Sequence, residues 1–321
     1  MTTDTSVRKS ARADTEKAYE PSETPPFLEV ADLSVRLPTG TRSEIQAVRS
    51  VSLTVHRGES VGIVGESGSG KSVTGRAIAG LLPSSPRVKV TGSIRFSGSE
   101  MVGAPARSWD EIRAHTVGMI FQDPTTFLNP TMKIGVQVSE SISGKRPGRH
   151  TGTNEEVLRF LSLAGLENVR ELAQRFPYEL SGGMCQRVLI AIAIAKLPEL
   201  ILADEPTTAL DATVQQRVLA TLREAVTKLG ASLVLISHDL AVVANMTDRV
   251  YVMYGGHVVE SGSTRQVLTE PRHPYTQALI RAVRSLTDDG TELWSIPPSL
   301  RLELDELVAG STGREDGLRA S

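Results

Sequence analysis

Cysteine, aromatic residues and long apolar runs are all scarce in this sequence of 321 residues. A single cysteine excludes a disulfide within the chain and fits a reducing compartment. The longest apolar run, residues 188–195, is far shorter than the roughly 20 residues that a membrane-spanning helix needs. Residues 1–26 carry scattered charges and no apolar stretch, so they do not resemble a secretory signal. We therefore expect a soluble chain that works in the cytosol.

An excess of charge of one sign is also lacking. The chain has 35 Lys and Arg against 37 Asp and Glu, a net charge of −2. Such a balance gives no electrostatic basis for binding nucleic acid or anionic lipid. We expect no nucleic-acid partner, and any membrane contact should run through other proteins.

The ends of the chain differ in composition from its middle. Residues 1–26 are rich in Thr, Ser, Glu and Pro, which predicts a disordered tail. Residues 287–321 are polar and irregular and predict a second tail. Folded structure is expected over residues 27–286.

The middle of the chain alternates strand-like and helix-like patterns. Short apolar runs at residues 60–64, 200–203 and 233–236 are each followed by a helical pattern, which predicts a mostly parallel α/β sheet. Helical patterns dominate residues 123–198 and predict an inserted helical subdomain. A hairpin is expected around Gly255-Gly256.

A glycine-rich segment follows the strand predicted at residues 60–64. Its glycines allow a tight turn whose N–H groups, with the following helix N-terminus, face an anion. The lysine can reach the β- and γ-phosphates of a nucleotide, and the last serine can bind Mg²⁺. The segment fits the G-x-x-x-x-G-K-S pattern and is made of Gly65, Glu66, Ser67, Gly68, Ser69, Gly70, Lys71 and Ser72.

Acidic and polar residues stand at the ends of other predicted strands. Asp204 and Glu205 end one strand, where adjacent side chains point oppositely, so Asp204 can hold a Mg²⁺ water shell while Glu205 polarises the attacking water. His238 ends another strand and is assigned to the γ-phosphate. Gln122 is a candidate ligand of Mg²⁺ or water. The alternative is that the two acids are solvated at a strand end, that the histidine is structural, and that Gln122 is a surface residue.

Residues 180–187, Leu-Ser-Gly-Gly-Met-Cys-Gln-Arg, resemble the signature motif of ATP-binding-cassette ATPases. The resemblance implies a P-loop NTPase fold with an antiparallel β subdomain beside the parallel sheet. It implies a head-to-tail dimer that sandwiches ATP, and it assigns Asp211 to communication between the two sites. The residues that would reach the partner's ATP are Ser181, Gly182, Gly183 and Gln186.

Finer features resemble the ATPases of oligopeptide, dipeptide and nickel importers. They are Phe-Gln-Asp-Pro at 121–124, Leu-Asn-Pro at 128–130 and Pro-Arg-His-Pro-Tyr-Thr at 271–276. The resemblance implies a second ATPase subunit, identical or homologous, two membrane permeases and an extracytoplasmic solute-binding protein. The chain would then lie at the cytoplasmic face of the membrane. Peptide is the leading solute, with nickel or another small solute as the alternative; a soluble cassette ATPase and an exporter subunit are the rivals.

The sequence departs from that branch in two places. Many members carry cysteines beyond the His-Pro-Tyr segment, and this chain has none there, so no iron–sulfur cluster is expected. The family commonly stacks an aromatic side chain on adenine, yet residues 33–48 contain none. Leu37, Arg36 or Arg42 are the candidate substitutes. We expect modest ATP affinity and weak discrimination from GTP.

Cys185 follows the signature glycines, near a predicted helix N-terminus. Thiol pKa values fall at such positions, so alkylation of Cys185 could block dimer closure and hydrolysis. The alternative is an inert buried thiol.

Overall fold

The computed structural model describes residues 24–40, 43–143, 154–208 and 210–288. Most of both predicted tails, residues 1–26 and 287–321, lies outside these ranges, as does Arg42. The limits of the tails therefore stay predictions.

Strands and helices alternate through most of the described chain. The strands are β1 (Leu28–Pro38), β2 (Glu44–Val55), β3 (Ser60–Val64), β4 (Lys89–Phe96), β5 (Ser99–Glu100), β6 (Val117–Ile120), β7 (Leu200–Asp204), β8 (Ser232–Ser237), β9 (Arg249–Tyr254) and β10 (His257–Ser263). The helices are α1 (Lys71–Ile78), α2 (Ala106–Glu111), α3 (Pro124–Phe127), α4 (Ile134–Ser143), α5 (Glu155–Leu163), α6 (Val169–Leu172), α7 (Gly182–Ile194), α8 (Ala212–Leu229), α9 (Leu240–Met246), α10 (Thr264–Thr269) and α11 (Pro274–Asp288). A π-helical turn (Ile112–Thr116) follows α2, and a 3-10 turn (Pro177–Glu179) precedes α7.

The central sheet has the order β10-β9-β3-β8-β7-β6. All its neighbouring strands run parallel except β10, which returns antiparallel to β9 through Gly255 and Gly256. Every residue of β7 and β8 is buried. Strands buried on both faces need no polar alternation, which is why continuous apolar runs predicted them correctly.

A second, antiparallel sheet has the order β2-β1-β4-β5 and confirms the antiparallel subdomain. Its apolar side chains join one face of the central sheet, where Ile63, Leu202 and Ile236 lie. The alternate residues Ile201 and Leu235 face the opposite core, which the helices cover. The pleat of each central strand therefore divides its side chains between two cores.

Helices α3 to α7 occupy most of the segment predicted to be helical. Helix α5 begins after Asn154, whose side chain accepts a hydrogen bond from the N–H of Val157, an N-cap. Helix α7 is apolar around most of its circumference and packs against α3, α4 and α5. It is thus the centre of the helical subdomain, and its first residues are the signature glycines.

Candidate nucleotide site

The glycine-rich segment forms a tight loop between β3 and α1. Gly65, Gly68 and Gly70 have φ angles of 150°, 82° and 100°, in the region that favours glycine. A Cβ on Gly65 would lie 2.1 Å from the carbonyl oxygen of Met253, and one on Gly70 would lie 2.4 Å from that of Ala47. The pattern of glycines is therefore a steric requirement of this loop.

Lys71 lies inside the curve of the loop and is only 4% exposed. Its Nζ donates to the carbonyl oxygens of Gly65 at 2.8 Å and Glu66 at 2.7 Å. Burial lowers the pKa of Lys71, while the nearby acids Glu205, Asp204 and Glu66 act to raise it. An anion bound in the loop would favour the charged ammonium, which suits this site to phosphate.

Asp204 and Ser72 meet at the end of β7. The Ser72 hydroxyl donates to Asp204 Oδ1 at 2.8 Å, and Asp204 is buried. Burial raises the pKa of Asp204, and the bond from Ser72 together with Arg76 and Lys71 opposes that rise. A hydroxyl and a carboxylate in contact are hard oxygen donors, so the pair fits Mg²⁺.

Glu205 and His238 are brought together because β7 and β8 are adjacent parallel strands. His238 Nδ1 lies 3.2 Å from Glu205 Oε1, and the Thr208 hydroxyl donates to Glu205 Oε2 at 2.9 Å. The side chain of Glu205 is 14% exposed and that of His238 is 53% exposed. Glu205 also has a φ of 48°, unusual for a residue other than glycine, and its N–H donates to the carbonyl of Ile236. Such strain is concentrated at functional sites.

The signature segment forms the N-terminus of α7. Ser181 is the N-cap, and its hydroxyl accepts from the N–H of Met184 at 3.4 Å. Ser181 and Gly182 are exposed, whereas Gly183 is buried against Val214 of α8. A helix of 13 residues thus presents its N-terminal end at the surface, where backbone N–H groups favour an anion.

Comparison with known proteins agrees with this geometry. A family model described as ABC transporter matches residues 48–208, and one described as oligopeptide/dipeptide transporter, C-terminal region, matches residues 259–310. The oligopeptide transport ATP-binding protein OppD of Bacillus subtilis (strain 168) is 43% identical over 272 residues, 84% of this chain and 76% of that protein. The probable D,D-dipeptide transport ATP-binding protein DdpD of Escherichia coli (strain K12) is 44% identical over 258 residues, 80% of this chain and 78% of that protein.

The chain belongs to the ABC transporter family. Its fold is similar to that of the ATP-binding cassette MJ0796 in a dimeric post-hydrolysis state bound to ADP and Pi, with a TM-score of 0.64 and 29% identity. That match covers 74% of this chain and 99% of the other. The chain is accordingly an ATPase of the cassette type, and none of the helices in its described ranges is long and apolar enough to cross a membrane.

Gln186 of this cassette is placed differently from the sequence expectation. It was expected to reach a partner's ATP, but it is 1% exposed and its Nε2 donates to the carbonyl of Phe121 at 3.3 Å. Five residues along an α-helix place it about 140° around the axis from Ser181, on the side that faces the core of the cassette. Gln186 therefore ties α7 to the segment that carries the exposed Gln122.

Glu66 is engaged by the cassette itself. Its backbone N–H donates to the hydroxyl oxygen of Tyr275 at 2.9 Å, and its carbonyl accepts from Lys71. In this conformation the backbone N–H of Glu66 faces the protein behind the loop. The nucleotide-binding role expected for Glu66 stays a prediction.

Asp211 is the N-cap of α8, and its Oδ1 accepts from the N–H of Val214 at 3.0 Å. Because Val214 also packs against Gly183, Asp211 lies one contact away from the signature glycines. That placement suits a role in communication between sites, which stays a prediction.

Cys185 is buried, and its Sγ lies 3.5 Å from the carbonyl oxygen of Pro177, to which it donates. Burial raises the pKa of the thiol, and the N–H of Cys185 itself opposes that effect. Burial of the thiol and its raised pKa favour the inert alternative.

Two residues at the site were missed by sequence reasoning. Thr208 holds Glu205, and its position three residues after the strand-end acid was a signal available in the sequence. Tyr275 reaches the phosphate loop from 209 positions away, and local spacing carries no signal for such a contact.

Proposed function

We propose that this chain is the ATP-hydrolysing subunit of a peptide importer, paired with a second cassette on two membrane permeases at the cytoplasmic face. The observation that carries the proposal is the exposed N-terminus of α7 at Ser181 and Gly182, a second anion site in a chain that already has a phosphate loop. A partner's bound ATP is the ligand that such an end fits.

In the proposed reaction, residues 65–72 enclose the β- and γ-phosphates. Lys71 keeps two of its three N–H donors on the carbonyls of Gly65 and Glu66 and directs the third to a phosphate oxygen. Ser72 and Asp204 would hold Mg²⁺ with Gln122, and that ion neutralises charge on the phosphates when bound. These assignments rest on residue chemistry and on the contact between Ser72 and Asp204.

Glu205 is the proposed general base. Its carboxylate is held on both sides, by Thr208 and His238, so it can aim at an in-line water. His238, more exposed, would steady the γ-phosphate. Ser181, Gly182 and Gly183 of the partner would then donate to the same phosphate and complete the site.

Peptide is favoured over nickel as the solute because relatives at 41–44% identity are named for oligopeptide and dipeptide transport. The match of residues 259–310 to the oligopeptide/dipeptide transporter C-terminal region points the same way.

A cassette that acts on DNA or ribosomes is disfavoured by the net charge of −2. In an importer of this kind, an extracytoplasmic binding protein would deliver the peptide.

The test is reconstitution of the chain with two candidate permeases and a candidate solute-binding protein from its own organism. We expect membrane association only when the permeases are present, and faster ATP hydrolysis when the binding protein carries peptide. The Lys71→Ala variant should associate with the membrane equally well and hydrolyse no ATP. Stimulation by nickel in place of peptide would replace the substrate assignment, and membrane-independent full activity would contradict the transport role.

A further inference from the structure

The phosphate loop contains one peptide group that is held at both of its ends. The carbonyl of Gly65 accepts from Lys71 Nζ at 2.8 Å, and the N–H of Glu66 in the same peptide plane donates to the Tyr275 hydroxyl at 2.9 Å. Gly65, at a φ of 150°, is a residue whose backbone can rotate readily. Rotation of this peptide group would break both hydrogen bonds together.

Tyr275 is itself rigidly placed. It is fully buried, at 0% exposure, and its ring lies 4.6 Å from that of Tyr254, centroid to centroid. The N–H of Tyr275 donates to His273 Nδ1 at 3.1 Å at the start of α11. The N–H groups of Arg272 and His273 donate in turn to the two carboxylate oxygens of Glu260 on β10, at 2.8 and 3.0 Å.

We propose that Tyr275 is a positioning residue for nucleotide binding. Through Tyr275, the His-Pro-Tyr segment fixes the orientation of the peptide group between Gly65 and Glu66. With that peptide fixed, the carbonyl of Gly65 faces the ammonium of Lys71 before any nucleotide arrives. The phosphate loop is then preorganised, and ATP binding does not have to order it. The proposal rests on the proposed role of residues 65–72 in holding phosphate.

The test compares Tyr275→Phe with the wild-type full-length chain in ATP titration calorimetry and steady-state hydrolysis. We expect ATP affinity to fall about threefold to tenfold, the range for loss of one hydrogen bond of ordinary net strength. KM should rise by a similar factor, while kcat changes less than about twofold because bound nucleotide re-forms the loop. A purely structural tyrosine would lower the melting temperature without this split.

Tyr251→Phe is the matched control. Tyr251 is also buried, and its hydroxyl accepts from a backbone N–H, that of Thr54, at 3.0 Å. Since this contact joins β9 to β2 and not to the phosphate loop, ATP affinity should stay within about twofold of wild type. Unchanged affinity in Tyr275→Phe, or an equal loss in both variants, would overturn the proposal.

A second pair of variants keeps the test decisive if Tyr275→Phe does not fold. His273→Ala removes the acceptor for the N–H of Tyr275, whereas His273→Asn keeps an acceptor at the same helix N-cap. We expect weaker ATP binding in the first and near-wild-type binding in the second. Equal affinities for the two would overturn the proposal. A wild-type chain that binds no ATP would instead remove the proposed role of the phosphate loop, so the two failures are distinguishable.

Discussion

Glu205, the proposed base, illustrates how neighbouring residues orient a single side chain. Its backbone lies at a φ of 48°, where a side chain other than glycine is strained, and its carboxylate contacts Thr208 and His238. Two contacts on one carboxylate fix its direction. This is the arrangement that a base aimed at one water molecule requires.

We expect Glu205→Gln to slow ATP hydrolysis by about 10²- to 10⁴-fold, because an amide cannot accept the proton of the attacking water. ATP binding should be retained, since Lys71 and the glycine loop are unchanged. Phosphate release and nucleotide titration on the same sample measure the two effects.

Glu199→Gln is the control for that variant. Glu199 precedes the same strand at its opposite end and forms an exposed ion pair with Arg57. Hydrolysis should therefore stay at the wild-type rate. Normal turnover in Glu205→Gln would contradict the assignment of the base.

Cys185 gives a prediction of the opposite kind, a residue that does not react. Because burial raises the pKa of its thiol, the native chain should react with a thiol reagent at pH 8 more than about tenfold more slowly than the unfolded chain. The chain has one cysteine, so a disulfide reagent that releases a coloured thiolate should release one equivalent per chain only in denaturant. Fast stoichiometric labelling of the native chain, with loss of hydrolysis, would restore the reactive interpretation.

At the scale of elements, the start of α7 combines two adjacent glycines with different surroundings. A Cβ on Gly183 would lie 2.3 Å from Val214 Cγ1, so α7 and α8 approach too closely for a side chain. A Cβ on Gly182 would lie 3.6 Å from Leu210 Cδ2, an ordinary contact. Gly183 is thus required by the packing of this chain, and Gly182 is not.

The two alanine variants should separate these requirements. We expect Gly183→Ala to lower the free energy of unfolding by about 1–3 kcal/mol through overpacking, measured by urea denaturation. Gly182→Ala should be neutral or slightly stabilising in the same measurement, because alanine favours helix. Both should reduce hydrolysis, since a partner's phosphate must approach these amides closely. Equal stability of the two variants would contradict the packing argument.

The order of strands in the central sheet is the other decisive feature at this scale. β3, β8 and β7 are neighbours, so the phosphate loop, His238 and Glu205 all emerge at one edge. The carboxyl ends of parallel strands are where ligands of open α/β sheets bind. Three segments distant in sequence therefore form one site.

At the scale of the whole molecule, the proposed site needs two cassettes, and mixed variants can test this directly. Lys71→Ala disables the phosphate loop of the chain that carries it, and Ser181→Arg disables the signature segment that the chain offers to its partner. Mixed in equal amounts, the two inactive chains should regain roughly a quarter of wild-type hydrolysis, because half of the random dimers carry one intact site.

The control mixes Lys71→Ala with the double variant Lys71→Ala, Ser181→Arg, which can form no intact site. It should stay inactive. Absence of recovery in the first mixture, with folded proteins, would indicate that the chain pairs with a different cassette and not with its own copy.

Much of this cassette is determined by sequence alone. The phosphate loop, the two strand-end acids and the continuous apolar strands depend on local chemistry: glycine at left-handed φ, short-range turns, and strands buried on both faces. The sequence accordingly predicted the parallel sheet and the hairpin at Gly255-Gly256. It also predicted that Lys71, Ser72 and Asp204 lie at one site.

Only the tertiary structure decided which way individual side chains face and what distant segments they hold. The side chain of Gln186 donates to the carbonyl of Phe121, and the thiol of Cys185 is buried although it lies near a helix N-terminus. The hydroxyl of Tyr275 accepts from the backbone N–H of Glu66. Each outcome depends on packing between segments far apart in the chain, and neither spacing nor residue type encodes it. Motif residues are therefore identified by sequence, while the residues that orient them are identified by the fold.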